Sequence, residues 1–177
     1  GAHALLLALQ AGGEPFDEAC SRLWWDLAAH FGPDFPIPPA CVAITVELRG
    51  EADVGYAYAE RDARALLQYL SHEGVIDQPA AALPAPLCEP TPLEGVEPID
   101  APHAGVLVFL KELGDKVAVG EAIADLVDPV SGTTTALRAN VAGVFFARTA
   151  HRHLLRGMNV GKVAGTVPYR SGSLLSQ

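Results

Sequence analysis

The 177 residues carry 21 acidic against 12 Lys and Arg side chains, a formal charge of −9, and half of them are hydrophobic. That apolar content is enough for a packed core and excludes wholesale disorder. The negative balance, with no run of Lys or Arg, excludes a nucleic-acid binder, because phosphate binding depends on cations that displace counterions. It fits a soluble cytoplasmic protein without membrane partners, and no stretch approaches the ~20 apolar residues of a spanning helix. Cys20, Cys41 and Cys88 are widely spaced and form no CxxC pair. They read as free thiols of a reducing compartment, not as a thiolate metal site.

The chain opens abruptly on an apolar run. Residues 4–9 read as a strand that ends at Gly12-Gly13. The absence of a basic flank and of a cleavage site argues against a signal peptide. An opening inside a core strand points to a missing upstream portion. Phe16, Cys20, Leu23, Trp24, Leu27 and Phe31 then recur at helical spacing. Asp17 and Glu18 are expected in the first turn, beside the positive end of the helix dipole, and Gly32-Pro33 should stop the helix. Trp24-Trp25 reads as one ring on the stripe and one at its edge.

Four prolines within residues 32–40 forbid regular structure. Residues 41–48, CVAITVEL, are rich in β-branched side chains and predict a strand. Alternation puts Val42, Ile44, Val46 and Leu48 on one face and Ala43, Thr45, Glu47 and Arg49 on the other. Residues 59–73 predict a second amphipathic helix, with Ala63, Leu66, Leu67 and Leu70 as its stripe and Gly74 at its C-terminus. Residues 1–76 therefore read as α/β. Residues 77–95 hold five prolines without periodicity and predict an extended linker.

From residue 96 to 177 the pattern is all-β, with turns at Gly114, Gly120, Asp128-Pro129, Gly132 and Gly157. An internal repeat is visible. APHAGVLVF at 101–109 matches ANVAGVFFA at 139–147, offset 38, and VAVGEAIADL at 117–126 matches LLRGMNVGKV at 154–163, offset 37. Two copies of one unit predict a pseudo-two-fold sandwich in which neither half buries its apolar face alone, with the shared glycines at turns or crowded positions.

Glu47 is the strongest candidate for chemistry. A carboxylate in an apolar strand is costly unless hydrated, paired or functional. Arg49, two residues on and on the same face, is the obvious structural partner, and a catalytic acid can also be held by a cation. His151 and His153 form an HxH that could meet a metal on one strand face. Arg148, Arg152 and Arg156 around it favour a solvated basic loop instead. His3 reads as an ordinary strand residue, His103 as a turn residue, and His30 and His72 lie at helix C-termini.

TVELRG at 45–50 resembles the strand motif of succinylglutamate desuccinylase/aspartoacylase proteins. The flanking GGEPFDEA at 12–19 and EADVGYAYAERDARALLQYLSHEGV at 51–75 resemble the same family, as does the β repeat from residue 101. The resemblance spans essentially the whole chain. It implies an α/β fragment of a zinc carboxypeptidase-like domain, followed by an all-β barrel-sandwich-hybrid-like domain. It also implies hydrolysis of an N-acyl amino acid, with Glu47 promoting water attack and Arg49 available to bind a substrate carboxylate. The family's zinc ligands, a His-x-x-Glu pair and a later His, would all lie upstream. Zinc is thus expected in the full-length protein and not on this chain, which alone should be inactive and, with exposed sheet edges, prone to form a homo-oligomer. The alternative is a non-catalytic biotinyl/lipoyl-like β module serving as lid, oligomer contact or binding domain. Residues 125–139, between the repeats, contain no lysine to carry a swinging arm.

Overall fold

The computed structural model describes residues 2–8, 16–41, 43–50, 52–79, 81–172 and 174. It is a mixed α/β chain. No helix among these residues is long and apolar enough to cross a membrane.

The N-terminal strand is β1 (Leu5–Leu7), and the expected turn at Gly12-Gly13 lies outside the described residues. A 3-10 turn, Phe16–Glu18, precedes α1 (Arg22–Phe31). Asp17 and Glu18 therefore sit one turn ahead of the helix, and no acidic residue occupies its first turn, contrary to the sequence expectation. The physical reason is the tighter bonding before the helix, where Ala19 N–H donates to Phe16 O and Ser21 N–H to Glu18 O, each at 3.1 Å and three residues back, and the α ladder starts only with Trp25 N–H donating to Ser21 O at 3.4 Å. Gly32, at φ 68°, ends α1, and its N–H donates to Ala28 O at 3.0 Å.

Helix α2 (Tyr56–His72) starts three residues earlier than its apolar stripe alone predicts. Gly74, at φ 71°, follows Glu73 at its C-terminus. Val75 N–H donates back to Leu70 O at 2.9 Å and Gly74 N–H to Ser71 O at 3.1 Å, the paired pattern that satisfies a helix's last carbonyls when glycine takes the left-handed position. Neither helix buries a residue. Leu66 and Leu67 of the predicted stripe are about half exposed.

The largest departure concerns the predicted strand at 41–48. Residues 43–48 form no strand, and Ile44, Val46 and Leu48 are all more than half exposed. A strand exists only where a neighbouring backbone completes its hydrogen bonds. Among the described residues, β1 pairs with β2 (Pro90–Pro92) in parallel, and nothing pairs with 43–48. β2 falls within the Pro-rich stretch, on an edge where missing N–H groups are tolerated.

The core lies in the repeat region. A short 3-10 turn (Leu93–Gly95) leads into β3 (Val96–Asp100), β4 (Gly105–Phe109), β5 (Lys116–Val117) and β6 (Ala122–Val127). The second copy supplies β7 (Thr134–Arg138), β8 (Gly143–Arg148), β9 (His153–Leu154) and β10 (Asn159–Gly165). Two antiparallel sheets result, ordered β3-β10-β8-β5 and β7-β6-β4-β9. Exchanging the copies converts one order into the other, so each sheet draws strands from both. No pairing closes these sheets into a barrel among the described residues.

The hydrogen bonds obey the same exchange. Gly120 N–H donates to Ala139 O at 2.7 Å, and Gly157 N–H to Ala101 O at 2.8 Å. Ala139 N–H donates to Glu121 O at 3.0 Å, and Ala101 N–H to Met158 O at 2.9 Å. Each bond joins one copy to the other, which is why neither forms a sandwich alone. Leu107, Ile123, Leu126, Phe145, Leu154 and Val163 fill the shared interior at 2% exposure or less. On β4 the alternation reads directly: Leu107 points in, whereas Val106 and Val108 point out.

The repeated glycines are crowded, as the sequence implies. A methyl carbon on Gly143 would lie 2.1 Å from the carbonyl oxygen of Ala164, and one on its counterpart Gly105 would lie 2.7 Å from that of Val127. Both obstacles are backbone and cannot rotate away. Gly143→Ala is expected to destabilise the protein by about 3 kcal/mol, and Gly105→Ala by less. Thermal unfolding of the two variants checks the order.

Candidate active site

Glu47 lies in the irregular segment 43–48 with its side chain exposed to solvent. The strand expected to carry it does not form among the described residues. Among the described residues, no hydrogen bond or ion pair engages the Glu47 carboxylate. Its expected partner, Arg49, turns elsewhere.

The Arg49 guanidinium reaches α2 and meets Asp62 edge to edge. Nη1 donates to Oδ2 in a close contact, and Nη2 donates to Oδ1 at 2.8 Å. The same guanidinium lies over the Tyr58 ring, 4.6 Å from its centroid. Tyr58 and Asp62 are four apart on α2 and so share a helix face. The hydrogen bonds with Asp62 hold the Arg49 pKa above its ordinary value and the Asp62 carboxyl below the usual carboxylate range. Beyond Arg49 the chain turns sharply. Gly50 N–H donates to Asp53 Oδ2 at 3.1 Å, and Asp53 N–H returns to Gly50 O at 2.9 Å. Asp62 and Tyr58 were not singled out in the sequence. The only signal was a tyrosine and an aspartate at i, i+4 on a helix that follows the TVELRG hexamer.

The histidine candidates separate. His153 is in β9 opposite Val106, while His151 precedes the strand, so the two do not share a strand face. Arg148 pairs with Glu112 at 3.0 Å, and Arg152 donates to the carbonyls of Thr149 and Ala150 at 3.2 Å. Both guanidiniums lie over the Phe109 ring, at 5.2 and 4.9 Å. His103 is better engaged than its turn position implies. Nδ1 donates to Ala104 O at 2.8 Å, and Nε2 meets Thr135 Oγ1 at 2.9 Å. His3 packs on Gly114, where an added methyl carbon would lie 2.5 Å from its Nδ1. Among the described residues, no group of three or more His, Cys, Asp or Glu side chains could hold a metal. The described residues therefore offer no ligand set for the zinc that the family resemblance implies. The three cysteines are free.

The hairpin between the two copies is tied by Asp128, which accepts from Val130 N–H at 2.9 Å and from Ser131 Oγ at 2.7 Å. These bonds, Ser131 first, hold the Asp128 carboxyl below the ordinary range. The β5–β6 turn is tied by Glu121, which pairs with Lys111 and accepts from Ala118 N–H at 2.8 Å. Both bonds, that of Lys111 first, depress the Glu121 pKa. Lys111→Ala is expected to move the Glu121 titration midpoint upward, toward an ordinary glutamate, in a carboxyl-carbon NMR titration.

No family model matches the sequence, and no curated protein matches it significantly. Solved structures do match. A succinylglutamate desuccinylase/aspartoacylase family protein from Shewanella amazonensis SB2B superposes with a TM-score of 0.71 at 28% identity, over 86% of this chain and 43% of its own. The structural neighbours of this chain include several succinylglutamate desuccinylase/aspartoacylase family proteins. A second member, from Shewanella frigidimarina NCIMB 400, gives a TM-score of 0.68 at 27% identity, over 86% of this chain and 42% of its own. The ectoine utilization protein EutE (DoeB) of Ruegeria pomeroyi, at 19% identity and a TM-score of 0.57 over 68% of this chain and 38% of its own, shares the fold. The chain spans about two fifths of the length of the two Shewanella desuccinylase/aspartoacylase structures.

Proposed function

We propose that this chain forms part of a hydrolase that cleaves the amide bond of an N-acyl amino acid, with Glu47 as its general base. The likeness to the Shewanella desuccinylase/aspartoacylase structures, at 27–28% identity across 86% of the chain, carries this reading. The Glu47 carboxylate, exposed and unengaged among the described residues, supports it, since a base must be reachable by water and not committed to a salt bridge. In this reading Glu47 takes a proton from the attacking water. The new C–O bond forms at the acyl carbon, and the C–N bond breaks as Glu47 returns the proton to the departing amine. The products are a carboxylic acid and a free amino acid. Zinc, in this reading, belongs to ligands outside this chain, and the two portions act together.

The test is hydrolysis by the complete protein of a panel of N-succinyl and N-acetyl amino acids, followed by release of the primary amine. We expect turnover of at least one acidic N-acyl amino acid, lost on chelation and regained with zinc. A metal-loaded complete protein that releases amine from none of them would reject the reading.

A further inference from the structure

We propose that Asp62 is a positioning residue, which fixes the Glu47 segment against α2 by gripping Arg49. The proposal rests on the reading of Glu47 as the base. Segment 43–48 has no strand partner among the described residues. The contact that ties its end to α2 is the bidentate Arg49–Asp62 pair, two residues beyond Glu47.

Three further observations favour a built anchor over a casual surface pair. First, Arg49 has φ 61°, the one left-handed non-glycine residue described. Such backbone persists where the surroundings over-determine it. The α2 contacts supply that constraint by drawing the guanidinium down onto the helix. Second, the fork of Arg49 is matched at both Asp62 oxygens while Tyr58 lies against its plane. This fixes distance and orientation together, which a lysine could not do. Third, the pair is only partly open to solvent, with side-chain exposures of 26% for Arg49 and 18% for Asp62. Because the Asp62 pKa is depressed, its contribution is present above the ordinary aspartate value of about 4 and is lost as pH falls through the lowered one. The anchor therefore stands throughout the neutral range in which a glutamate base works. Each Nη of Arg49 gives one of its two N–H groups to Asp62, and the kinetics below separate positioning from the alternative of Arg49 as a substrate-carboxylate ligand.

The experiment compares Asp62→Asn, Asp62→Glu and Arg49→Lys in the complete protein, with two readouts. Trypsin cleavage after Arg49, followed by mass spectrometry, reports the anchor without requiring activity. It is expected to quicken about tenfold in Asp62→Asn and to return toward the parent rate in Asp62→Glu. Steady-state kinetics report the consequence. In Asp62→Asn and Arg49→Lys, kcat is expected to fall about ten- to a hundredfold, the scale of a displaced catalytic group. KM should stay within about twofold, and Asp62→Glu should restore most of the loss. Unchanged cleavage at Arg49 in Asp62→Asn overturns the anchor. A raised KM at constant kcat overturns positioning in favour of substrate binding. Should Glu47→Gln keep full activity, the base assignment fails instead, and the cleavage data still decide whether Asp62 holds the segment.

Discussion

Glu47→Gln is expected to lower kcat of the complete protein by about 10²- to 10⁴-fold, the contribution of one well-placed base. KM and metal content should be unchanged. The substitution is nearly isosteric, and it removes the proton-accepting oxygen while leaving a polar side chain of the same length. Nothing in the fold should respond, because Glu47 is exposed and no hydrogen bond or ion pair among the described residues depends on it. A fall in kcat at constant melting temperature would thus report chemistry and not folding. A variant with the parent kcat would remove Glu47 from the reaction.

The second large effect is structural. Glu97, in β3, is 1% exposed, yet carries a carboxylate. Its Oε2 accepts the backbone N–H groups of Asn140 at 2.8 Å and Val141 at 3.2 Å, and its Oε1 accepts from the Asn140 side-chain amide. It thereby ties the start of the first copy to the turn before β8 in the second. At the exchanged position, Thr135 reaches His103 in the turn before β4, so the two ends use different chemistry for one task. Glu97→Ala would remove the acceptor of two backbone donors and an amide at a partly buried junction. A buried donor left unsatisfied costs about 1–3 kcal/mol, and water can reach the exposed Asn140, so a loss of about 2–3 kcal/mol is expected. Glu97→Gln should recover only part of it, because its amide nitrogen meets donors where acceptors are needed. Urea denaturation of the three proteins checks the order. A Glu97→Ala protein as stable as the parent would mean that the turn finds other acceptors.

Neither large effect is equally legible before folding. Glu47 stood out because a charge interrupts an apolar run in a recognisable hexamer. Glu97 did not, since VEPID reads like an ordinary edge strand and its partners lie 43 and 44 residues away. Arg49 was read as facing Glu47 on a strand. The strand requires a neighbour that no described residue provides, and without the strand the side chain turned to Asp62, 13 residues on. The helix start at Phe16 failed for a smaller reason. Apolar spacing continues across residues 19–21, but the bonds there reach three residues back and not four.

What the sequence determined by itself is local or repetitive. Glycines at 114, 120, 132 and 157 all adopt the positive φ that their turns demand. Both helices follow from stripes at i, i+3 and i+4 and end at glycine. The 38-residue offset foretold two equivalent units. Tertiary structure alone decided how those units interlock, which carboxylate is buried between them, and which acid holds Arg49. Those outcomes depend on backbone groups and charges brought together from distant positions. Their energies exist only once loop closure has been met and water excluded.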